Sequence, residues 1–501
     1  MGRGWTRIAL SMAIFVAGCA TYPVNPSLKQ YNPAQGYRYE NLTTTDPNKN
    51  SEETFIILTF SGGGTRAAAL SYGVLEHLHK APIAGGRKTL LDEVDVISSV
   101  SGGSFTAAYY GLFGEEKFFR DYKEGVLHRR IEHELLLRVL APWNWPWLLS
   151  PYFGRSDLAD EYYDRYIFEG RTYAQMPTKR PFIIINATDM SLGAQFSFIQ
   201  DHFDRLCSDL SQVHVSRAVV ASSAFPVAFT PITLNNYPKT TCGYTAPRWV
   251  ASGLQDFAKV PSRYDRAKTW VSYEDAERRP YIHLNDGGLA DNIGLRGPEV
   301  AITTSDSSWS LLNKVNNGVV KRLAVIIVDA KPQEATTLDD SARPPGVRSV
   351  LEAAATNPME NYSSDTIELL RDRLSEWDKA ASNFTHRREN ATSRCDDFAA
   401  QLCRGSPAFA HCGQERRNEC YTRFRETAND QPPHPNLYEI HVRLEATKDP
   451  ALRAKLEQIP TTLQLPPEDV ELLIRAAATL LDQSEEYQRL RRDLDNSSPR
   501  S

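Results

Sequence analysis

The 501-residue chain contains no uninterrupted apolar run near the roughly 18 residues of a membrane-spanning helix, so any work at a membrane is that of a peripheral protein. It lacks an excess of either charge: the net charge is −5 with acids and bases interspersed, which gives no basis for nucleic-acid binding. The phosphate-loop pattern Gly-x-x-x-x-Gly-Lys-Ser/Thr and the dinucleotide pattern Gly-x-Gly-x-x-Gly are both absent. Cys395, Cys403, Cys412 and Cys420 crowd together without a Cys-x-x-Cys pair, which argues against a zinc site. No internal repeat or low-complexity tract is present, and no metal or cofactor is expected. With 41% apolar residues the chain can nevertheless bury a sizeable core.

At the start, Arg3 and Arg7 precede the apolar run Ile8 to Ala17, which leads through small residues into Cys19. The string Val16-Ala17-Gly18-Cys19 resembles a bacterial lipobox. That resemblance implies a signal peptide over residues 1–18, lipid attachment at Cys19 and, with Ala20 following, an outer-membrane lipoprotein at the periplasmic face. The competing readings are a plain secretory signal with a chance cysteine and a short buried helix. Residues 19–50, rich in Pro, Asn, Thr and Lys, read as a tether. The remaining cysteines are even in number in a compartment that permits disulfides. Cys207 is expected to pair with Cys242, and two bridges are expected among the clustered four, with their connectivity open.

The organisation beyond residue 50 is α/β. Phe55 to Phe60 is a buried strand ending in Ser61-Gly62-Gly63-Gly64, followed by helical spacing from Thr65 to His79. Val94 to Val100 is a second strand, broken by Ser101-Gly102-Gly103 before a helix. Such strand-helix alternation predicts a mostly parallel sheet covered on both faces. Further buried strands are expected at Pro181 to Asn186 and Leu323 to Asp329, with a helix at Val215 to Ser223. A catalytic domain over 51–335 is followed by a mainly helical, cysteine-containing region over 336–501 that packs on it, with a half-exposed strand at Leu437 to Leu444.

Three motifs carry chemistry. Ser99-Val100-Ser101-Gly102-Gly103 sits at a strand-to-helix turn, where small flanking residues leave a serine hydroxyl exposed on a tight elbow. A glycine-rich turn with incidental serines is the structural alternative, and Ser104 is a rival nucleophile without flanking glycines. Gly62, Gly63 and Gly64 at a helix N-terminus can aim N–H groups at an oxyanion. Arg66 beside them either meets a lipid phosphate or pairs with a nearby acid. Asn285-Asp286-Gly287-Gly288 is an ordinary turn in isolation, but here it follows the other two motifs.

The ordered set resembles the patatin-like phospholipase family, whose pattern is Gly-Gly-Gly-x-Arg/Lys, Gly-x-Ser-x-Gly and Asp-Gly-Gly/Ala with an asparagine soon after. The likeness covers about residues 52–335 and extends to Val215-Ser216-Arg217 through Pro226, to Asn186-Ala187-Thr188-Asp189 and to Asn292. It implies that the domain has a patatin-like three-layer fold, that Ser101 and Asp286 form a catalytic dyad and that Gly62, Gly63 and Gly64 form the oxyanion hole. The implied partner is a lipid or phospholipid whose acyl ester is hydrolysed, with the membrane reached through the lipid anchor. Ser99 stands where the family has glycine, and Gly294 where it often has proline. An inactive lipid-binding or scaffold lipoprotein and an acyltransferase using the same dyad are the alternatives. His386, His411, His434 and His441 follow in the order of a Ser-Asp-His triad but lack any local motif. Leu135 to Phe153, with Trp143, Trp145 and Trp147, reads as a lid or lipid-entry surface or as an insertion packed over the core. Because aromatic side chains ordinarily dominate core packing, the second is the default expectation.

Overall fold

Apolar runs bounded by glycine become strands buried on both faces. The computed structural model describes residues 24–42, 50–331, 339, 342–403, 409–427 and 435–496. Cys19, His434 and the whole proposed signal peptide lie outside them, as do the side chains of His386 and His411. The strands of the main sheet are β1 (Thr54–Phe60), β2 (Val94–Val100), β3 (Phe182–Asp189), β4 (Ala194–Ser197), β5 (Ile232–Asn235), β6 (Tyr281–Asp286), β7 (Arg322–Asp329) and β8 (Asn436–Arg443). They form one sheet in the order β8-β7-β1-β2-β3-β6-β5, with β4 pairing β3. The neighbours from β8 to β3 run parallel; β6 and β4 lie antiparallel to β3, and β5 antiparallel to β6. Two-residue periodicity divides the strands between two cores. Ile56, Leu58 and Phe60 face one, and Phe55 and Ile57 face the other.

The first face is covered by α1 (Gly64–His79) and α2 (Gly102–Tyr122), and α3 (Val215–Ser222) joins the same core. The second face is covered in part by α4 (Val347–Leu402), through Ile367, Leu370 and Leu374. α4 and α5 (Phe409–Thr427) form a hairpin stapled by Cys395–Cys420 and Cys403–Cys412, which resolves the connectivity left open by sequence. Cys207 and Cys242 are bonded as expected.

Residues beyond 335 do more than pack on a finished domain. β8 pairs in register with β7 from Asn436↔Arg322 to Arg443↔Asp329, and its side chains alternate between buried and half-exposed. α6 (Pro467–Gln483) presses against α1 so closely that a Cβ on Gly73 would lie 2.7 Å from the Ile474 carbonyl oxygen. α7 (Glu485–Asn496) buries Tyr487, Leu490 and Leu494 in the same core.

The expected tether over 19–50 is corrected for residues 24–42. Tyr39 and Leu42 are buried in the second core, and Arg38 bonds Asp201 at 2.6 Å and Asp204 at 2.5 Å. Leu28 and Tyr31 donate backbone hydrogen bonds to the carbonyls of Cys207 and Cys242, at 2.6 and 2.7 Å. The stretch lacks periodicity because it is irregular, yet its aromatic side chains bury enough surface to order it.

Candidate active site

The sheet register gathers the sequence motifs on one edge. Phe60 of β1 pairs Ser99 of β2, Val100 pairs Asn186 of β3, and Ala187 pairs Asp286 of β6. The loops after β1, β2 and β6 therefore meet.

Ser101 stands between β2 and α2 with φ 48° and ψ −119°, in the positive-φ region that non-glycine residues enter at a cost. Surrounding contacts hold it there. Its N–H donates to Ser222 Oγ at 2.8 Å, and Ser222 Oγ donates to the Asn186 carbonyl at 2.6 Å. A Cβ on Gly103 would lie 2.7 Å from Phe60 Cβ, and one on Gly102 would collide with the Gly64 carbonyl. Only glycine lets the elbow press onto the β1–α1 loop. Ser99 fits in place of the usual glycine because its hydroxyl donates to the Ile184 carbonyl at 3.2 Å and accepts from Ser104 at 3.1 Å. Ser104 is fully buried with its Oγ 3.0 Å from Ser222 Oγ, so it is a bracing residue with no access to a substrate.

Asp286 is 3% exposed at the end of β6. One carboxylate oxygen accepts from the Gly288 N–H at 2.8 Å, and the backbone is held by Asp286 N–H to Ala224 and by Thr188 Oγ1 to the Asp286 carbonyl at 2.8 Å. Burial pushes its pKa up to about 6, against the opposing Gly288 N–H and the Ser101 hydroxyl, which face the carboxylate. A carboxylate so raised is a stronger base than an exposed aspartate and is still ionised at neutral pH. Ser222 links both halves, since its carbonyl also accepts from the Gly287 N–H. The sequence marked the Ala221-Ser222-Ser223-Ala224 string as family-like but gave no sign of this bracing role.

The glycine loop departs from the expectation at one position. The Gly62 N–H donates to the Asn292 carbonyl at 2.9 Å, so it is already committed. Gly63 and Gly64, at φ 134° and 57°, cap and begin α1, where the first N–H groups have no partner within the helix. Among the described residues no acceptor meets the amides of Gly63, Gly64 or Gly102. The available donor set is thus Gly63, Gly64 and Gly102, and the expected set of Gly62, Gly63 and Gly64 is corrected. Gly294, at φ 67°, adopts a conformation proline cannot reach, and its carbonyl accepts from Ser98 Oγ at 2.6 Å.

Arg66 takes the structural of its two expected roles, with carbonyl partners. It is 1% exposed and bonds the carbonyls of Ala330 at 2.8 Å and Ile459 at 2.6 Å, in place of an acid or a headgroup. Burial lowers its pKa to about 10, with Asp329 opposing. Its clamp brings the C-terminal chain over the loop, where the Thr462 carbonyl accepts from the Thr65 N–H at 2.8 Å. Leu463 then joins Gly64, Phe105, Leu127 and Ile131 around a narrow apolar slot. This wall comes from residues some 400 positions away in sequence, and no local signal announced it. Among the described residues no histidine bonds Ser101 or Asp286. His441 bonds Glu439 at 2.5 Å on β8, three strand spacings, about 14 Å, from β2.

Residues 58–297, which hold all three motifs, match the model of the patatin-like phospholipase family. Among solved structures, human GIVD cytosolic phospholipase A2 is 13% identical, with 89% of this chain and 63% of that one covered and a TM-score of 0.37. The same human enzyme in complex with methyl gamma-linolenyl fluorophosphonate is 12% identical, with 91% and 61% covered and a TM-score of 0.34. The chain therefore spans about three fifths of the length of these structures. A comparison with curated protein sequences gives no match. The family match is confined to residues 58–297, the stretch that carries the glycine loop, the Ser101 elbow and the Asp286 turn.

Proposed function

We propose that this protein is a lipid acyl hydrolase in which Ser101 is the nucleophile and Asp286 its base. The observation that carries the reading is the strained Ser101 elbow facing a buried Asp286 whose pKa is raised to about 6. Asp286 takes the Ser101 proton as the oxygen attacks an ester carbonyl. The tetrahedral oxyanion is met by the amides of Gly63, Gly64 and Gly102, and collapse expels the alcohol with a proton returned from Asp286. Asp286 then activates water, which releases the acyl group and regenerates Ser101. Phe105, Leu127, Ile131 and Leu463 give the Gly64 loop an apolar border, along which the acyl part of the substrate is proposed to approach. Cys19 is proposed as a lipid anchor that holds the domain at the periplasmic face of a bacterial outer membrane. Fatty-acid labelling lost in Cys19→Ser supports it, and unchanged labelling removes it.

Turnover of a short-chain ester by purified variants, with folding checked by circular dichroism, tests the dyad. Ser101→Ala and Asp286→Asn each lose several orders of magnitude, on the order of 10⁴ or more, as removal of a nucleophile or base does in serine hydrolases. His441→Gln retains most of the activity. A folded His441→Gln protein as inactive as Ser101→Ala replaces the dyad with a triad.

A further inference from the structure

The aromatic stretch of residues 135–153 does not pack over the core as its composition suggested. Trp143 is 75% exposed, Leu149 82% and Tyr152 62%, and Leu136, Leu137 and Leu140 are each more than half exposed. Helix Ile131–Leu140 buries only Ile131 and Leu135, so Leu136, Leu137 and Leu140 lie exposed on its C-terminal half, beyond the exposed Glu132 and His133 of its first turn. Soluble surfaces seldom expose so many large apolar side chains in one short segment.

The geometry points to residues 136–152 as a surface that inserts into a lipid bilayer and opens onto the slot beside Ser101. Three observations select a bilayer as the occupant. First, the surface is continuous with the site: Leu127 and Ile131 line the slot next to Gly64, and Ile131 begins the helix that carries the exposed leucines. A π-helical turn at Lys123–Leu127, a form concentrated at functional sites, joins this helix to α2. Second, between Leu135 and Gly154 the one charged residue is Arg138, whose guanidinium lies 5.2 Å from the Tyr162 ring. Over residues 129–155 four arginines face two glutamates, opposite in sign to the chain's net charge of −5. Apolar side chains with tryptophan and flanking arginine suit the interface of an anionic membrane. Third, Val24 lines a cavity with Asp160, Glu161 and Asp164 on helix Arg155–Tyr166, which directly follows the aromatic segment. Val24 lies five positions after Cys19, a reach of at most about 18 Å. An acyl anchor at Cys19 and the aromatic surface thus engage one bilayer together.

This inference rests on the lipid-hydrolase reading but is tested apart from it. The full chain carrying Cys19→Ser and Ser101→Ala, which has neither anchor nor turnover, is mixed with phosphatidylcholine–phosphatidylglycerol vesicles whose acyl chains carry bromine. The expected results are flotation with the vesicles and quenching of tryptophan emission. Adding Trp143→Ala, Trp145→Ala and Leu149→Ser weakens vesicle partitioning at least tenfold and removes the quenching. In the background with Ser101 intact, the same three changes leave turnover of a monomeric ester unaltered and reduce turnover of vesicle phospholipid. Equal partitioning with and without the three changes overturns the proposal. So does failure of both proteins to float, or vesicle-free sedimentation in which the three changes dissolve a dimer, since the occupant is then a second copy of the chain. Loss of monomeric-ester turnover in otherwise unmodified protein would instead strike the catalytic reading.

Discussion

Asp286→Asn is expected to stabilise the protein as it inactivates it. A pKa raised from 3.8 to about 6 means that the folded state holds the Asp286 proton more tightly than the unfolded chain does. Its contribution therefore favours folding below about pH 4 and is lost as pH rises towards about 6. Roughly two pH units at 1.36 kcal/mol each make the ionised carboxylate cost about 3 kcal/mol at pH 8. Asparagine keeps an oxygen to accept the Gly288 N–H at 2.8 Å and presents an amide to Ser101, without the buried charge. The variant is thus expected to be more stable at pH 8 by up to about 3 kcal/mol, equivalent to a rise in melting temperature on the order of a few degrees. Near pH 4 the two proteins converge. Thermal unfolding of both at pH 4, 6 and 8, beside ester turnover at pH 8, measures the effect. A variant that is less stable at pH 8, or a stability difference that does not change with pH, refutes burial as the cause of the raised pKa. Retained turnover refutes Asp286 as the base.

Gly102→Ala forces a side chain into the Gly64 carbonyl, so turnover is expected to fall at least about 100-fold, the loss typical when oxyanion donors are displaced. Normal turnover in a folded variant removes the Gly63–Gly64–Gly102 assignment. Replacing Cys207 and Cys242 together by alanine opens a 35-residue loop and is expected to cost about 3 to 4 kcal/mol in the chain-entropy model, read from thermal unfolding. Native protein should contain no reactive thiol at either position when denatured without reductant.

The α/β class and the strands at Phe55, Val94, Pro181 and Leu323 were legible because each depends on local pattern, and the pairing of Cys207 with Cys242 because the other four cysteines form a group of their own. A buried parallel strand must be apolar on both faces, and a nucleophile elbow must carry small residues at fixed offsets. The Ser101 elbow and the Asp286 turn were visible as local motifs for the same reason, although nothing local measured their approach. That approach follows from β3, which pairs β2 at Asn186 and β6 at Ala187 and so brings residues 185 positions apart to one edge.

Other assignments were misread where composition stood in for packing. Residues 24–42 looked like a tether because turn-forming residues hide the spacing of Tyr37, Tyr39 and Leu42, whose burial depends on partners far along the chain. The tryptophans of residues 143–147 looked like core because aromatic area is usually buried, and only the fold leaves them exposed. Arg66 and Gly62 carry polar groups that satisfy the nearest available acceptor, and those acceptors, Ala330, Ile459 and Asn292, come from other parts of the chain. The sequence alone determined which chemical groups exist and which local turns can present them, because propensity and pattern act over a few residues. The tertiary structure decided which of those groups are spent on bracing the fold and which remain free to act, because each buried donor or acceptor must find a partner in three dimensions.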